Sequence, residues 1–327
     1  MLGMAFVSQL PVYSSLSFKT GSLLFSEPNR LEEVHMREAL PQILGILALI
    51  AVPLTGLCLG IETGRAYVSQ LLRMPGVLIR FFLATFVIMP ALAVVIRLSE
   101  NLSPAVWVGL LLISMTPPSP GFHSKVRKLS VGAEMSLAWQ LTSVLLSIVT
   151  IPLTLLILEN ALGLQLNWGI GAVTRKILLV YLAPVMAGML WRRLSLPIAT
   201  SVARIAIPIS KVTLLLLVLL IVLIGAKPLI SLGARSLLIV LLFVAVAILV
   251  GHLLGTPPPN LRPTLAGALA MRFPAPAFVL AKLNGILGPI TPVILAYLIF
   301  GGVLLGLYSK LVRKHVVAFQ HSEVTSS

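Results

Sequence analysis

The chain reads as an all-α polytopic membrane protein of about nine transmembrane helices. They are expected to form an inverted-topology repeat with two proline-broken crossing helices. Three observations predict this fold. Long apolar runs recur from about Leu40 to Leu311. The connecting loops alternate between basic and nearly charge-free. One phrase also occurs twice: "MTPPSPGF" at Met115–Phe122 and "MRFPAPAF" at Met271–Phe278 lie 156 positions apart. They agree at Met115/Met271, Pro118/Pro274, Pro120/Pro276 and Phe122/Phe278.

The apolar runs set the solvent. Hydrophobic residues make up 58% of the 327 and charged residues only 10%, against roughly 25% charged in a soluble domain. Mean hydropathy is +1.06. Almost the whole chain therefore belongs in a lipid bilayer, where backbone groups must be satisfied within helices. Nine glutamates, no aspartate and 24 lysines plus arginines leave a formal charge of +15. In a soluble protein this excess would point to nucleic acid. Here it reflects the gathering of basic residues in cytoplasmic loops, and no nucleic-acid partner is expected. The single cysteine, Cys58, excludes an internal disulfide and a thiolate metal cluster.

Nine spans follow in order: 38–60, 75–97, 104–133 (broken), 136–158, 174–191, 206–226, 234–254, 262–284 (broken) and 288–311. Residues 1–37 read as an N-terminal arm or interfacial segment, and 38–311 as one transmembrane domain. That domain divides into a first repeat 38–158, a connecting helix 174–191 and a second repeat 206–311, and 312–327 form a cytoplasmic tail. Basic residues mark the 61–74 loop (Arg65, Arg73), "HSKVRK" (Lys125, Arg127, Lys128), "WRRLSLPIATSVAR" and the tail, whereas the loops near 98–103 and 159–173 carry only glutamates. The first span thus enters from outside and the C-terminus is cytoplasmic, as expected for a protein of the plasma (inner) membrane. Lys227 and Arg235 run against this pattern. Single cysteines at Gly163 and Ser195 should accordingly be labelled from opposite faces of the membrane, and labelling from one face would remove the inverted repeat.

The broken spans are the third and the eighth, five apart, so they cross in opposite senses, the signature of an inverted repeat. Interior proline removes an amide donor and clashes with the preceding turn. Pro117, Pro118 and Pro120 stop the first helix near Thr116, after about 20 Å, too short for a ~30 Å hydrocarbon core. The break lies at membrane depth, where irregular backbone is tolerated only if it is buried in protein or lines a cavity. Ser119 is placed to cap the next half-helix, with Pro120 at its first position. In the second break Pro276 takes that first position, beside Pro274, with Ala275 at the cap, leaving amide donors and a positive dipole end open to a ligand. The alternative is that the prolines only kink ordinary spans, as at Pro90 and Pro152.

In the fourth span Ser136, Gln140, Ser143, Ser147 and Thr150 fall on one helix face, which should point into the bundle. Such a face either meets a ligand or holds helices together by hydrogen bonds. Arg272 immediately precedes the second break, where burial of an arginine costs about 2.5 kcal/mol or more. It either meets an anion or pairs with free carbonyls of the broken helix. Arg80 and His252 lie near span ends. No serine-hydrolase elbow, zinc-protease helix or phosphate loop is present, and the chain is not expected to be an enzyme.

With these pieces placed, the chain resembles the bile acid:sodium symporter family, within a superfamily that includes arsenite exporters. The resemblance covers about residues 38–311. It is carried by "GLCLG", "MPALAVVI", "MTPPSPGFHSKVRKLSVG" and "SLAWQLTSVLLSIVTIPLTLLIL", with Thr150-Ile151-Pro152 closing the fourth span. It implies two broken helices crossing near the bilayer centre, in a core domain that moves against a panel domain. It also implies organic-anion substrates carried with sodium, bound at the crossing. The family's second broken helix carries a Glu and, four residues on, a Gln for sodium; the matching positions here are Ala268 and Arg272. His123 and Ser124 stand near the family's Ser-Asn pair.

The resulting expectation is a secondary transporter of a small organic anion, without cofactor or metal and without a carboxylate sodium site. Its substrate-binding residues would be Thr116, Ser119, His123, Ser124, Gln140, Ser143, Arg272, Phe273 and Ala275, with Pro117, Pro118, Pro120, Pro274 and Pro276 as hinges. A sodium-coupled symporter and a non-transporting receptor or scaffold on the same fold are the rival readings. Oligomeric state is left open.

Overall fold

The computed structural model describes residues 28–63, 69, 71–100, 102–120, 122, 133–162, 171, 175, 178–255 and 261–325, and the regular structure there is helical. In chain order the helices are α1 (Pro28–Glu62), α2 (Pro75–Ser99), α3 (Pro104–Met115), α4 (Ala133–Leu162) and α5 (Ala183–Leu194). They continue as α6 (Leu196–Ser231), α7 (Gly233–Leu254), α8 (Arg262–Ala270), α9 (Pro274–Leu283) and α10 (Leu287–Thr325). Among the described residues six helices are long and apolar enough to cross a membrane: α1, α2, α4, α6, α7 and α10. The other predicted spans appear as shorter pieces. α3 stops at the first break, α8 and α9 flank the second, and a π-helical turn at Leu178–Leu182 precedes α5. The half-helix expected after Pro120 lies largely outside the described residues.

Prolines and caps explain the local geometry. Among the described residues two π-helical turns are present, at Leu83–Ile88 within α2 and at Leu178–Leu182, and each ends just before a proline, Pro90 or Pro184. Proline lacks the donor that a regular turn needs, and a widened turn accommodates the freed carbonyls. The span expected at 206–226 is longer than predicted, because α6 already begins at Leu196. The Ser195 hydroxyl accepts from the Ile198 N–H at 3.5 Å, and Pro197 sits in the first turn. Hydropathy placed these residues in a loop, but a serine cap followed by proline is a helix start. α6 thus reaches roughly 54 Å at 1.5 Å per residue, well beyond the hydrocarbon thickness. α1 likewise begins at Pro28 rather than near 38, and α10 continues past 311 to Thr325.

Small residues let helices approach where water cannot drive packing. α1 packs on α5 and α6. At the α1–α5 contact Gly60 faces the Val185 carbonyl and Gly188 faces the Leu57 carbonyl. α7 meets α8 at Gly251, against Ala266, and α10 meets α8 at Gly301, against the Ala270 carbonyl. α3 leans on α10 through Gly109 and Val293. The outer faces are apolar, as lipid requires: Leu215, Leu219 and Leu223 of α6 and Leu242 and Leu249 of α7 are all exposed. Arg235, at the start of α7, forms an ion pair with Glu100, just past the end of α2. The two groups share one end of the bundle, so the basic residue that ran against the loop-charge pattern is neutralised by its neighbour.

Candidate functional site

The two breaks meet. α3 ends at Met115, and its cap Thr116 turns extended at φ −74° and ψ 150°. α8 ends at Ala270, and the chain stays irregular until Phe273, the extended cap of α9 at φ −85° and ψ 111°. The short extended pieces lie antiparallel, with Pro118 paired to Arg272. The Ser119 N–H donates to the Met271 carbonyl at 2.7 Å, and the Phe273 N–H donates to the Pro117 carbonyl at 2.9 Å. Each break therefore satisfies backbone groups of the other, which answers how irregular chain survives at membrane depth. The two copies of the proline phrase form the crossing itself.

The start of α9 differs from the expectation. Phe273, not Ala275, is the cap, and Pro274, not Pro276, is the first helical residue. Both prolines fall in the first turn, where a missing N–H costs nothing. With the cap's own N–H bonded to Pro117, Ala275 is left as the one first-turn donor without an intrahelical acceptor. The helix end thus offers a ligand one amide and a half-charge dipole, less than a regular N-terminus would.

Arg272 is fully buried and turned onto carbonyls. Its Nη1 donates to the Thr116 oxygen at 2.7 Å and its Nη2 to the Thr85 oxygen at 3.3 Å. Thr116 terminates α3, and Thr85 lies in the π-helical turn of α2, so both acceptors come from interrupted helices. The carbonyl end of α3 also carries negative dipole, which favours a cation there. Nε has no partner, and the Tyr297 hydroxyl, which donates to the Leu269 carbonyl at 2.5 Å, lies beside the guanidinium. Of the two roles open to Arg272 from sequence, carbonyl pairing is the one present in this conformation. The carboxylates whose side chains the structure describes, Glu62, Glu100 and Glu159, lie at span ends.

On the side of the crossing that faces α1 there is a small cavity. It is lined by Thr55, Gly56 and Leu59 of α1, Pro118 and Pro120 of the first break, Gln140 and Val144 of α4, and Phe273. The polar stripe of α4 does point inward, since Ser136, Gln140, Ser143, Ser147 and Thr150 are all buried. Its members differ in what they do. Ser143 donates to the Gln140 carbonyl at 2.9 Å, Ser147 to Val144 at 2.7 Å and Thr150 to Leu146 at 3.0 Å, so these hydroxyls are spent on their own helix. Gln140 is 3% exposed, and its Oε1 has no partner.

The predicted site residues therefore separate. Gln140, Phe273, Pro118 and Pro120 line the cavity. Thr116 and Arg272 are bonded to each other behind it. The Thr116 hydroxyl donates to Ile113 at 2.8 Å, so the side chain serves its own helix end. Ser119, partly buried, contributes its backbone to the crossing, as Pro117 does. Pro274, Ala275 and Pro276 are buried in the first turn of α9. His123 and Ser124 lie outside the described residues. Sequence reasoning missed Thr55, Gly56 and Leu59 as lining residues, although "TGLCLG" places small residues in mid-span. It also missed Thr85, whose carbonyl carries no sequence signal at all.

The sequence profile described as the Sodium Bile acid symporter family matches residues 49–232, more than half of the chain. The chain belongs to that family. No curated protein matches it in sequence. Members of the sodium bile acid symporter family are membrane transporters, and the all-helical bundle with its apolar spans is a multi-pass membrane protein of that type. The matched stretch holds Thr55, Gly56, Leu59, Pro118, Pro120, Gln140 and Val144, every lining residue except Phe273. The second break, with Ala268 and Arg272, lies beyond it.

Proposed function

We propose that the chain carries a small organic anion by alternating access, with the cavity at the crossing as its substrate site. One observation carries this reading. A permanent cation, Arg272, is wholly buried one residue from the cavity wall at Phe273, with no described carboxylate beside it. A buried charge left uncompensated is costly, and the half-charges of helix ends offset only part of it. A bound anion would complete the balance. Gln140 lines the cavity, where its amide N–H groups would donate to the anion, and Thr55, Gly56 and Leu59 of α1 form the opposite wall. Because α1 packs mainly on α5 and α6 while the other wall belongs to the crossing, movement of α1, α5 and α6 as a unit would open and close the site.

The test is uptake by proteoliposomes of radiolabelled organic anions of graded size, conjugated bile acids included, against organic cations of matched size. Saturable uptake of the smaller anions, competed by unlabelled anion and absent for cations, is expected. Anion binding to the detergent-solubilised protein without any uptake would make it a receptor on a transporter fold.

A further inference from the structure

The family's description names sodium, and the oxygens at this crossing do not fit a mobile cation. Sodium at the centre of a membrane is held by backbone carbonyls freed at helix breaks and by the negative ends of half-helices. Here the Thr116 and Thr85 carbonyls accept from Arg272, the Pro117 and Met271 carbonyls accept from the facing strand, and Leu269 accepts from Tyr297. Side-chain help is missing as well. Ala268, fully buried four residues before Arg272, has no oxygen to give, and the Thr116 hydroxyl is bonded to Ile113. The decisive term is charge. A guanidinium keeps its proton at any physiological pH, and it stands in a low-dielectric site where repulsion of a second cation is poorly screened.

We infer that Arg272 is a tethered cation: its guanidinium occupies the carbonyl-lined position at the crossing that a mobile coupling ion would otherwise fill. The inference rests on the anion-transporter reading for its functional consequence, which is transport indifferent to sodium. The two acceptors support a filled ion position over an ordinary helix cap. They come from different interrupted helices, α2 and α3, and the donor comes from a third element, the α8–α9 break. A guanidinium bridging three elements does what a multidentate ion does. It draws together carbonyl ends that have lost their intrahelical donors. Being covalently attached, it cannot leave, so its binding cannot be driven by a sodium gradient.

The test measures ion binding directly and so does not depend on knowing the substrate. Thermal unfolding of the purified full-length protein is followed in sodium chloride and in choline chloride of equal ionic strength, alongside retention of ²²Na⁺. The wild type should melt identically in the two salts and retain no ²²Na⁺ above background. Arg272→Met empties the position and should acquire a sodium-specific rise in Tm of several degrees together with ²²Na⁺ retention, because a ligand that binds only the folded state stabilises it. Arg272→Lys keeps a cation there and should stay indifferent to sodium. Should Arg272→Met fail to fold, Arg272→Gln keeps a donor for one carbonyl and is read in the same way. Sodium-specific stabilisation of the wild type would overturn the inference. So would indifference to sodium in the folded neutral variants, which would leave Arg272 as a carbonyl-capping residue only. Absence of anion uptake with the expected sodium responses would refute the transport reading while leaving the tethered cation standing.

Discussion

Gln140→Leu is expected to lower anion uptake about tenfold or more while leaving Tm unchanged or slightly raised, since one hydrogen bond to a charged ligand is worth ~1.5–3 kcal/mol. The two effects have opposite signs for one physical reason. The Gln140 amide oxygen is buried without a donor, and a buried unsatisfied polar atom costs about 1–3 kcal/mol. Leucine has a similar volume and no such atom, so the folded resting protein loses nothing by the change. What disappears is the amide N–H on the cavity wall that would donate to the anion. If Gln140 instead tied helices together, the substitution would lower Tm with uptake intact, by an amount near the ~0.6 kcal/mol average of interhelical hydrogen bonds in membrane proteins. Ser143→Ala is the internal comparison. Its hydroxyl bonds to the Gln140 carbonyl within α4, so neither uptake nor stability should move appreciably. Uptake counted per folded molecule, beside a melting curve for each variant, separates these cases.

The second large effect concerns the α1–α5 contact. A side chain at Gly60 would place Cβ 2.2 Å from the Val185 carbonyl oxygen, and one at Gly188 would place it 2.4 Å from the Leu57 oxygen. The obstacles are backbone atoms of a helix, so relief requires the two helices to separate along their length. Overpacking of an interior typically costs 1–3 kcal/mol, and with no flexible side chain to yield, Gly60→Val should cost about 3 kcal/mol or more. The expected result is loss of a monodisperse peak in detergent, or a Tm lowered by many degrees. Gly302 of α10 has nothing within 4 Å of its added Cβ, and Gly302→Ala should be neutral or stabilise by up to ~1 kcal/mol from helix propensity alone. A Gly60→Val protein that melts with the wild type would show that α1 and α5 do not rely on this approach.

The consequence reaches function, because α1 carries Thr55, Gly56 and Leu59 on the cavity wall and is buttressed by α5 and α6 from behind. A glycine contact outside the site therefore fixes where one wall of the site stands. This link between packing and binding is invisible to hydropathy.

By itself, the sequence determined that the chain is helical, crosses a membrane several times and breaks two helices at Pro117–Pro120 and Pro274–Pro276. It also placed an inward polar face on α4. These are properties of a single segment: apolar length, proline position and a period of 3.6 are all written within one helix. Even the misjudged start of α6 was local, since Ser195 and Pro197 signal it and hydropathy alone does not read caps. Only the tertiary structure decided that the breaks bond to each other, that three hydroxyls of the α4 face are consumed by their own carbonyls, and that Gln140 alone keeps a free oxygen there. It likewise decided that Arg272 reaches Thr116 and Thr85, which lie 156 and 187 residues away in the chain. The physical reason is that both acceptors are backbone carbonyls. Every residue owns one, so no residue type marks which of them a distant guanidinium will find.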